Sequence, residues 1–429
     1  RVTVIERDPL PAHPDGRRGV PQGRHIHGFQ ARGVEIVDEL FPGLLDEMIA
    51  AGASRIADLS ELHFRIGGHL LTQEPEPIAP VLLATRPYLE HGVRRRVAAR
   101  DRVTLRDRLE VAGLTHTRTG RGEAVVTGVR VVPPGGGSVD EVAADLVVDA
   151  TGRGSRTPAW LAALGYERPS EDRIAVRVKY ASQLLRVPAG EQPMRFVIDG
   201  RSPGRDVGVA LFGCEDDSWV FTVMGAERGF PAPATREWMV DTAEGKLPDW
   251  AHAAVRDAEP LSPLSVHQHP ASIRRRYDRL DRFPDGLVVM GDALCAFNPI
   301  YGQGMSVAAV QALALRDCLA QGGDRLARRV LRASASAMAN AWQLAAGSDL
   351  AYPDVEGNPT RAMRVIGRYV QRVLQAAETD PHVARRFLAV SGLVASPAAL
   401  FTPRVLGPAL SRAPRRAEGR AEQPDMVPV

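Results

Sequence analysis

Lysine is almost missing from this 429-residue chain: Lys179 and Lys246 are the only two, while arginine is scattered throughout. The pI is near 8.9, yet the formal net charge is only +3. Cationic charge spread this evenly builds no clustered phosphate-binding face, which argues against a nucleic-acid partner. Cysteine is scarce too. Cys214, Cys295 and Cys318 are odd in number and widely spaced, so they supply neither a disulfide framework nor a metal knuckle, and a reducing cytoplasm is the expected compartment. Long hydrophobic runs are absent. The longest, "LAVSGLVASPAALF" from Leu388, is broken by Ser, Gly and Pro and falls short of the roughly 20 residues that span a bilayer. No charged n-region followed by an apolar h-region marks a signal peptide. There is no GxSxG, HExxH or P-loop, and no side chain can be singled out as a catalytic acid or base. His25 and His27 form an H-x-H pair without a third ligand at metal-site spacing, so no metal is expected.

What is present is ordinary globular material, 44% hydrophobic and 24% charged, long enough for two packed domains. "RVTVIERDPLP" is a β-branched run that predicts a buried strand already in progress at residue 1. The apolar spacing of "HGFQARGVEIVDELFPGLLDEMIAAG" predicts two short helices split at Pro42-Gly43. A hairpin is expected around Gly67-Gly68, a helix over "RPYLEHGVRRRVAAR", and a short buried strand at "DLVVDATG". From Ile174 to Ser272 the period is mostly two, interrupted by helices near Arg236 and Trp250. After Asp324 the pattern is helical. "RAMRVIGRYVQRVLQAA" puts Met363, Ile366, Val370, Val373 and Leu374 on an apolar face and Arg361, Arg364, Arg368 and Arg372 on a basic one, a solvated surface helix or one suited to peripheral membrane contact. The Pro-, Arg- and Glu-rich tail from Ser411 is expected to be disordered.

The most demanding segment is "GLVVMGDALCAFNPIYGQGMSVAAVQALAL". A strand that ends in Gly and an acid places Asp292 at the carboxyl end of a sheet, where open α/β folds bind ligands. Pro299 stiffens the following turn, Gly302 and Gly304 allow close backbone approach, and the helix that opens there presents free N–H groups and a positive dipole end. Such a site suits a hydroxylated molecule with delocalised negative charge, properties that a reduced flavin combines.

"GDALCAFNPIYGQGM" resembles the GD motif of class A flavoprotein monooxygenases, the group of para-hydroxybenzoate hydroxylase and squalene epoxidase, whose pattern is GDA, a gap, then NPxxGQGM. The resemblance implies FAD as cofactor and NAD(P)H as co-substrate. Asp292 is then expected on the ribityl chain and the Pro299, Gly302, Gln303, Gly304 and Met305 segment against the flavin ring. "RVTVIERD" is similar to the family's second strand, with Glu6 where an acid meets the adenosine ribose. "GVPQGRHIH" resembles most closely a bacterial subgroup that includes polyether epoxidases, and it offers Arg24, then Arg18, as phosphate contacts. Arg86 in "ATRPYLEHGV" matches an arginine near the cofactor. In "DLVVDATGRGSR", Thr151 stands where the family has Asp, with Gly152, Ser155 and Arg156 retained; this departure bears on NAD(P)H use rather than on flavin. The family's GxGxxG turn would precede "RVTVIERD", and the chain holds none, so an N-terminally truncated copy is expected.

The resemblance therefore implies a doubly wound α/β FAD-binding domain (1–60, 80–170 and 280–325). A β-rich substrate domain (61–79 and 171–279), a helical C-terminal region (326–410) and a tail (411–429) complete it. The implied reaction inserts one oxygen atom of O2 into an aromatic or alkene substrate through a flavin C4a-hydroperoxide. The substrate is expected to be a small hydrophobic or aromatic molecule. Two alternatives stay open: an FAD-dependent reductase of isoprenoid double bonds, and a non-catalytic remnant that binds a hydrophobic ligand.

Overall fold

The computed structural model describes residues 1–120, 122–187 and 192–411; the expected disordered tail lies, from 412 on, outside them. The fold is mixed α/β. Its largest layer is an eight-stranded sheet. Strand Val178–Arg186 is flanked by Ser218–Ala226 on one side and by Ser265–His269 and Glu259–Pro260 on the other. Beyond Ser218–Ala226 come Val207–Gly213, Phe196–Asp199, Leu62–Ile66 and His69–Leu70. The last pair is the expected hairpin at Gly67-Gly68, with both glycines at positive φ.

Alternation along these strands divides the side chains between two covered faces. One face carries Ala181, Leu185, Val197, Leu211, Trp219 and Phe221 and is closed by helices Arg236–Ala243 and Asp249–Asp257. The other carries Tyr180, Phe196, Phe212, Val220 and Met224 and turns toward the GD segment and the C-terminal helices. There Phe196 stacks on Phe212 with ring centres 4.6 Å apart, and Phe64 meets Phe196 edge-on.

Besides the parallel pairing of Phe196–Asp199 with Leu62–Ile66 inside the large sheet, two separate parallel pairs stand outside it. Val2–Ile5 pairs with Val103–Arg106, and Val147–Asp149 pairs with Leu287–Val289. The first corrects a sequence expectation: Val2 is 55% and Val4 38% exposed. A sheet two strands wide does not screen both faces, so a β-branched run that looks buried by composition lies partly in water. In the second pair Leu287, Val288 and Val289 are fully interior, whereas the strand in "DLVVDATG", expected to be buried, leaves Val148 41% exposed, because it has a paired neighbour on one side only. Both strands of this pair end at glycine turns on the same side, Gly152–Gly154 and Gly291–Ala293, which pack against each other.

The expected helices are present. Ala31–Leu40 and Leu44–Ala50 are separated at Gly43, whose φ of 80° favours glycine. Arg86–Ala98 is capped by Thr85. The long helix Gly304–Ala320 leaves the GD segment, and Leu326–Ala337, Ala339–Asp349, Arg361–Ala377, Pro381–Ser391 and Pro403–Ser411 follow. Ile366, expected on the buried face of its helix, is exposed: the first half of the helix touches the core through Met363, and the fully buried residues, around Val373 and Leu374, lie in the second half. No helix among the described residues is long and apolar enough to cross a membrane.

Gly286 leads into strand Leu287–Val289 at a φ of 76°, and a Cβ there would strike the Val126 carbonyl oxygen. Gly286→Ala is expected to lower unfolding stability by roughly 1–3 kcal/mol, the usual size of such backbone strain, measured by urea denaturation.

Candidate functional site

The two glycine turns form the floor of the site. Gly152, Gly154, Gly291 and Gly304 all face open space, since a Cβ built on any of them would meet nothing within 4 Å. The turns are joined by one side chain. Arg275, buried, donates from Nη1 to the Ala293 carbonyl at 2.9 Å and from Nη2 to the Arg153 carbonyl at 3.0 Å, while Nε meets Glu171 at 3.1 Å. Gln311, wholly buried on the long helix, accepts the Gly291 N–H at 2.6 Å.

Asp292 rises from this floor. Burial pushes its carboxyl above the ordinary value, and the nearby Arg86 and Arg153 pull it back. Arg86 stands at the first turn of its helix, under Gly23; its buried Nε has no hydrogen-bond partner among the described residues. Arg153 also donates from Nη1 to His269 Nδ1 at 3.1 Å.

Beyond Asp292 the Asn298–Gly304 loop is held from three directions. The Asn298 side-chain oxygen accepts the Ile300 N–H and the Tyr180 hydroxyl, at 3.2 and 3.1 Å. Its amide donates to Asp349 Oδ1 at 2.8 Å, and the Tyr301 hydroxyl donates to the same oxygen at 2.8 Å. Gln30 donates to the Tyr301 carbonyl at 2.7 Å. Gly302 takes a φ of 63° against Gln30. Buried oxygens Gln30 Oε1 and Gln303 Oε1 have no donor among the described residues. Pro299 is exposed, and Met305 packs beside Phe29 and Val34.

A wall of neutral imidazoles faces this loop. His25 bonds Ser182 Oγ at 2.8 Å, and Ser182 bonds Thr222 at 2.7 Å. Burial and the neighbouring His267 and His27 lower His25 to about 3; burial and Arg86 lower His27 to about 4; burial and Arg153 lower His269 to about 3. All three are therefore uncharged at neutral pH. The contact of His27 Nδ1 with the His25 carbonyl, 2.8 Å, fixes Nδ1 as the donor and leaves Nε2 as an acceptor. Among the described residues no group of three or more His, Cys, Asp or Glu is placed to hold a metal.

The structure thus brings Asp292, Arg86, Gly302, Gln303 and Gly304 together. Glu6 lies elsewhere, with its carboxylate on Arg17 at 2.7 Å and on the Asp8 N–H at 2.9 Å. Arg24 is exposed on the short helix Pro21–Arg24, and Arg18 is exposed as well. Thr151 and Ser155 turn inward and donate to Asp149, as does Thr157, so these hydroxyls order the turn from beneath. Arg156 lies over the Trp160 ring. Cys295 is a buried strand residue. Sequence reasoning missed Arg153, Arg275, Gln311, Gln30 and Asp349. Only Arg153 carried a local signal, its place inside "GRGSR".

The glycine cradle, the half-buried acid between two arginines and the amide oxygens without a donor among the described residues fit the hydroxyls and polar ring edge of FAD, the group that the fold implies. In the solved structure of p-nitrophenol 4-monooxygenase PnpA from Pseudomonas putida the same fold recurs, with a TM-score of 0.62, 15% identity and 92% of each chain covered. The fold is that of the FAD-dependent monooxygenases. By sequence, the chain is 39% identical over 404 residues to Protein Rv3254 of Mycobacterium tuberculosis, covering 90% of this chain and 83% of that protein. The chain belongs to the same family as Protein Rv3254. A kynurenine 3-monooxygenase of Salinispora tropica is 27% identical over 357 residues, 76% of this chain and 68% of that enzyme. No family model matches the chain.

Burial pushes Asp349 up to about 6, and the Tyr301 and Asn298 hydrogen bonds oppose the shift. The folded protein keeps this proton at pH values where the unfolded chain, at an ordinary aspartate value, has lost it. Its contribution to stability therefore falls as pH rises from about 4 to about 6. Asp349→Asn, which retains the accepting oxygen, is expected to remove about 2–3 kcal/mol of that decline, read as the difference between wild-type and variant urea stabilities across this pH range.

Proposed function

We propose that the chain is an FAD- and NAD(P)H-dependent monooxygenase that inserts one oxygen atom from O2 into a small aromatic or alkene substrate. The observation that carries this reading is the pair of glycine turns clipped by Arg275, with Asp292 held between Arg86 and Arg153 above them. FAD would supply the electron and oxygen chemistry there. Asp292 would accept hydrogen bonds from the ribityl hydroxyls. Backbone N–H groups at the start of helix Gly304–Ala320, with Gln303 and Met305 beside them, would face the negative ring edge. Glu6 would take the adenosine ribose, and Arg24 a phosphate.

The substrate's side of the site would be the sheet face that carries Phe64, Phe196 and Phe212, beside the polar strip Tyr180, Ser182, Thr222, His25 and His267. Stacked rings favour a flat apolar substrate. Neutral histidines would fix it by hydrogen bonds without adding charge. Residues 1–60, 80–170 and 280–325 would then be the FAD-binding domain and 61–79 with 171–279 the substrate domain. The named activities of the similar proteins, p-nitrophenol 4-monooxygenase and kynurenine 3-monooxygenase, support hydroxylation ahead of epoxidation.

Purified protein incubated with FAD and desalted is expected to keep flavin absorption and to consume O2 in step with product when given NAD(P)H and substrate. Arg275→Leu should retain the circular-dichroism spectrum yet weaken FAD binding at least tenfold, because the two turns lose their shared donor. A colourless preparation after incubation with FAD, or NAD(P)H oxidation that saturates a double bond without O2, would defeat the reading.

A further inference from the structure

The even spread of cationic charge read from the sequence fails at one place. From 357 to 417 the chain carries ten arginines and only two acids, Glu378 and Asp380, whereas the whole chain has a net charge of only +3. The rest of the molecule is therefore net negative, and this stretch holds the positive excess. Two of its helices, Arg361–Ala377 and Pro403–Ser411, pack on each other.

On the first helix Arg361, Arg364, Arg368 and Arg372 recur at helical spacing, all exposed, and form one stripe. Val365 sits at the edge of the stripe, with Arg361 four residues before it and Arg368 three after it. Tyr369, four residues beyond Val365 and three beyond Ile366, stacks on Phe401 with ring centres 4.7 Å apart and donates its hydroxyl to the Leu400 carbonyl. Thr402 then leads into the second helix, which exposes Arg404 and Leu410. Leu410 and Val365, at 63% and 61%, are the most exposed large apolar side chains among the described residues, and Ile366 and Phe401 are each 49% exposed. Single exposed apolar residues are ordinary, but a group of them rimmed by charge of one sign marks an interaction surface. Val373 and Leu374 anchor the first helix in the core, so the face is preformed.

The occupant has to meet both features at once. A nucleic acid or an acidic peptide would neutralise the arginines and leave Val365, Ile366 and Leu410 in water. An apolar protein surface would cover those side chains and strip water from the neighbouring arginines without compensation. An anionic bilayer surface satisfies both. Arginine heads reach lipid phosphates while their stems lie along the apolar side chains, and the apolar side chains enter the boundary between headgroups and acyl chains.

We propose that this face docks the protein on anionic lipid membranes, with the two helices lying on the surface. Arg412, Arg415 and Arg416 follow the second helix directly in sequence and extend the basic run. The assignment uses none of the residues of the proposed flavin site and does not rest on that reading.

The test is sedimentation of the full chain with vesicles of phosphatidylcholine alone and of phosphatidylcholine mixed in equal parts with phosphatidylglycerol. Binding to the mixed vesicles is expected to be at least tenfold tighter than to phosphatidylcholine alone. It should be released on raising salt from about 0.1 M to about 1 M, where the screening length falls from roughly 10 Å to roughly 3 Å. Arg361→Gln combined with Arg368→Gln should weaken binding at least tenfold, since each basic residue near such a surface contributes about a fivefold factor. Val365→Ser combined with Ile366→Ser should also weaken it at least tenfold, through lost apolar insertion. All four positions are exposed, and thermal unfolding checks that both double variants fold. Absence of binding to the mixed vesicles, or equal binding to both kinds, would overturn the assignment. So would loss in the arginine pair with none in the Val365 and Ile366 pair, the pattern of a purely ionic contact such as a soluble polyanion makes. Retention of FAD is a separate measurement, so failure here leaves the flavin reading standing and the reverse.

Discussion

A single guanidinium sets the geometry on which the site depends. Arg275 is buried and cannot give up its proton, so its donors must find acceptors. It finds them in two backbone carbonyls, of Arg153 and Ala293, and in Glu171. The carbonyls belong to turns that leave two paired parallel strands at the same end. Fixing both at about 3 Å from one planar group leaves little freedom in their separation, and that separation is the width of the cradle.

Further layers build on this one. Asn298, a few residues past the second turn, joins Tyr180 of the sheet to Asp349 of a distant helix. Three parts of the chain more than a hundred residues apart from end to end thus meet on one amide. The charge pattern follows the same logic. Arg86 and Arg153 lie around Asp292, while the histidines beside them stay neutral because burial and these same cations oppose protonation. The site is therefore electropositive without mobile protons on its imidazoles, a field that favours a ligand on which negative charge accumulates.

How far the sequence revealed this depended on distance along the chain. The GD segment announced itself because acid, proline and glycines fall within fifteen residues, and the structure gathers Asp292, Gly302 and Gly304 as that spacing requires. The break between the first two helices was legible from Pro42-Gly43, a local signal. Arg275 was not legible: in "SIRRRYDRL" it is one of three consecutive arginines, and nothing local distinguishes the one that clips the two turns from Arg274, which is equally buried. Asp349, at the end of a helix, looks like an ordinary surface acid until the fold sets Asn298 against it. The first strand misled for a related reason. β-branched composition reports strand propensity, whereas burial depends on how many layers the sheet finds around it. Phe196, Phe212, Trp219 and Phe221 all lie in strands of the stretch whose period of two predicted a sheet. Since both faces of this sheet are covered, alternation alone could not say which of them faces the GD segment.

That alternation also governs how such a protein can change. Phe212 and Leu211 are adjacent in one strand yet belong to different neighbourhoods, the first beside the GD segment and the second among Trp219 and Phe221 under the short helices. Even-numbered positions of the central strands can be exchanged while the odd-numbered positions keep the sheet anchored. Ligand preference can drift by point substitution within a lineage, with the scaffold inherited intact.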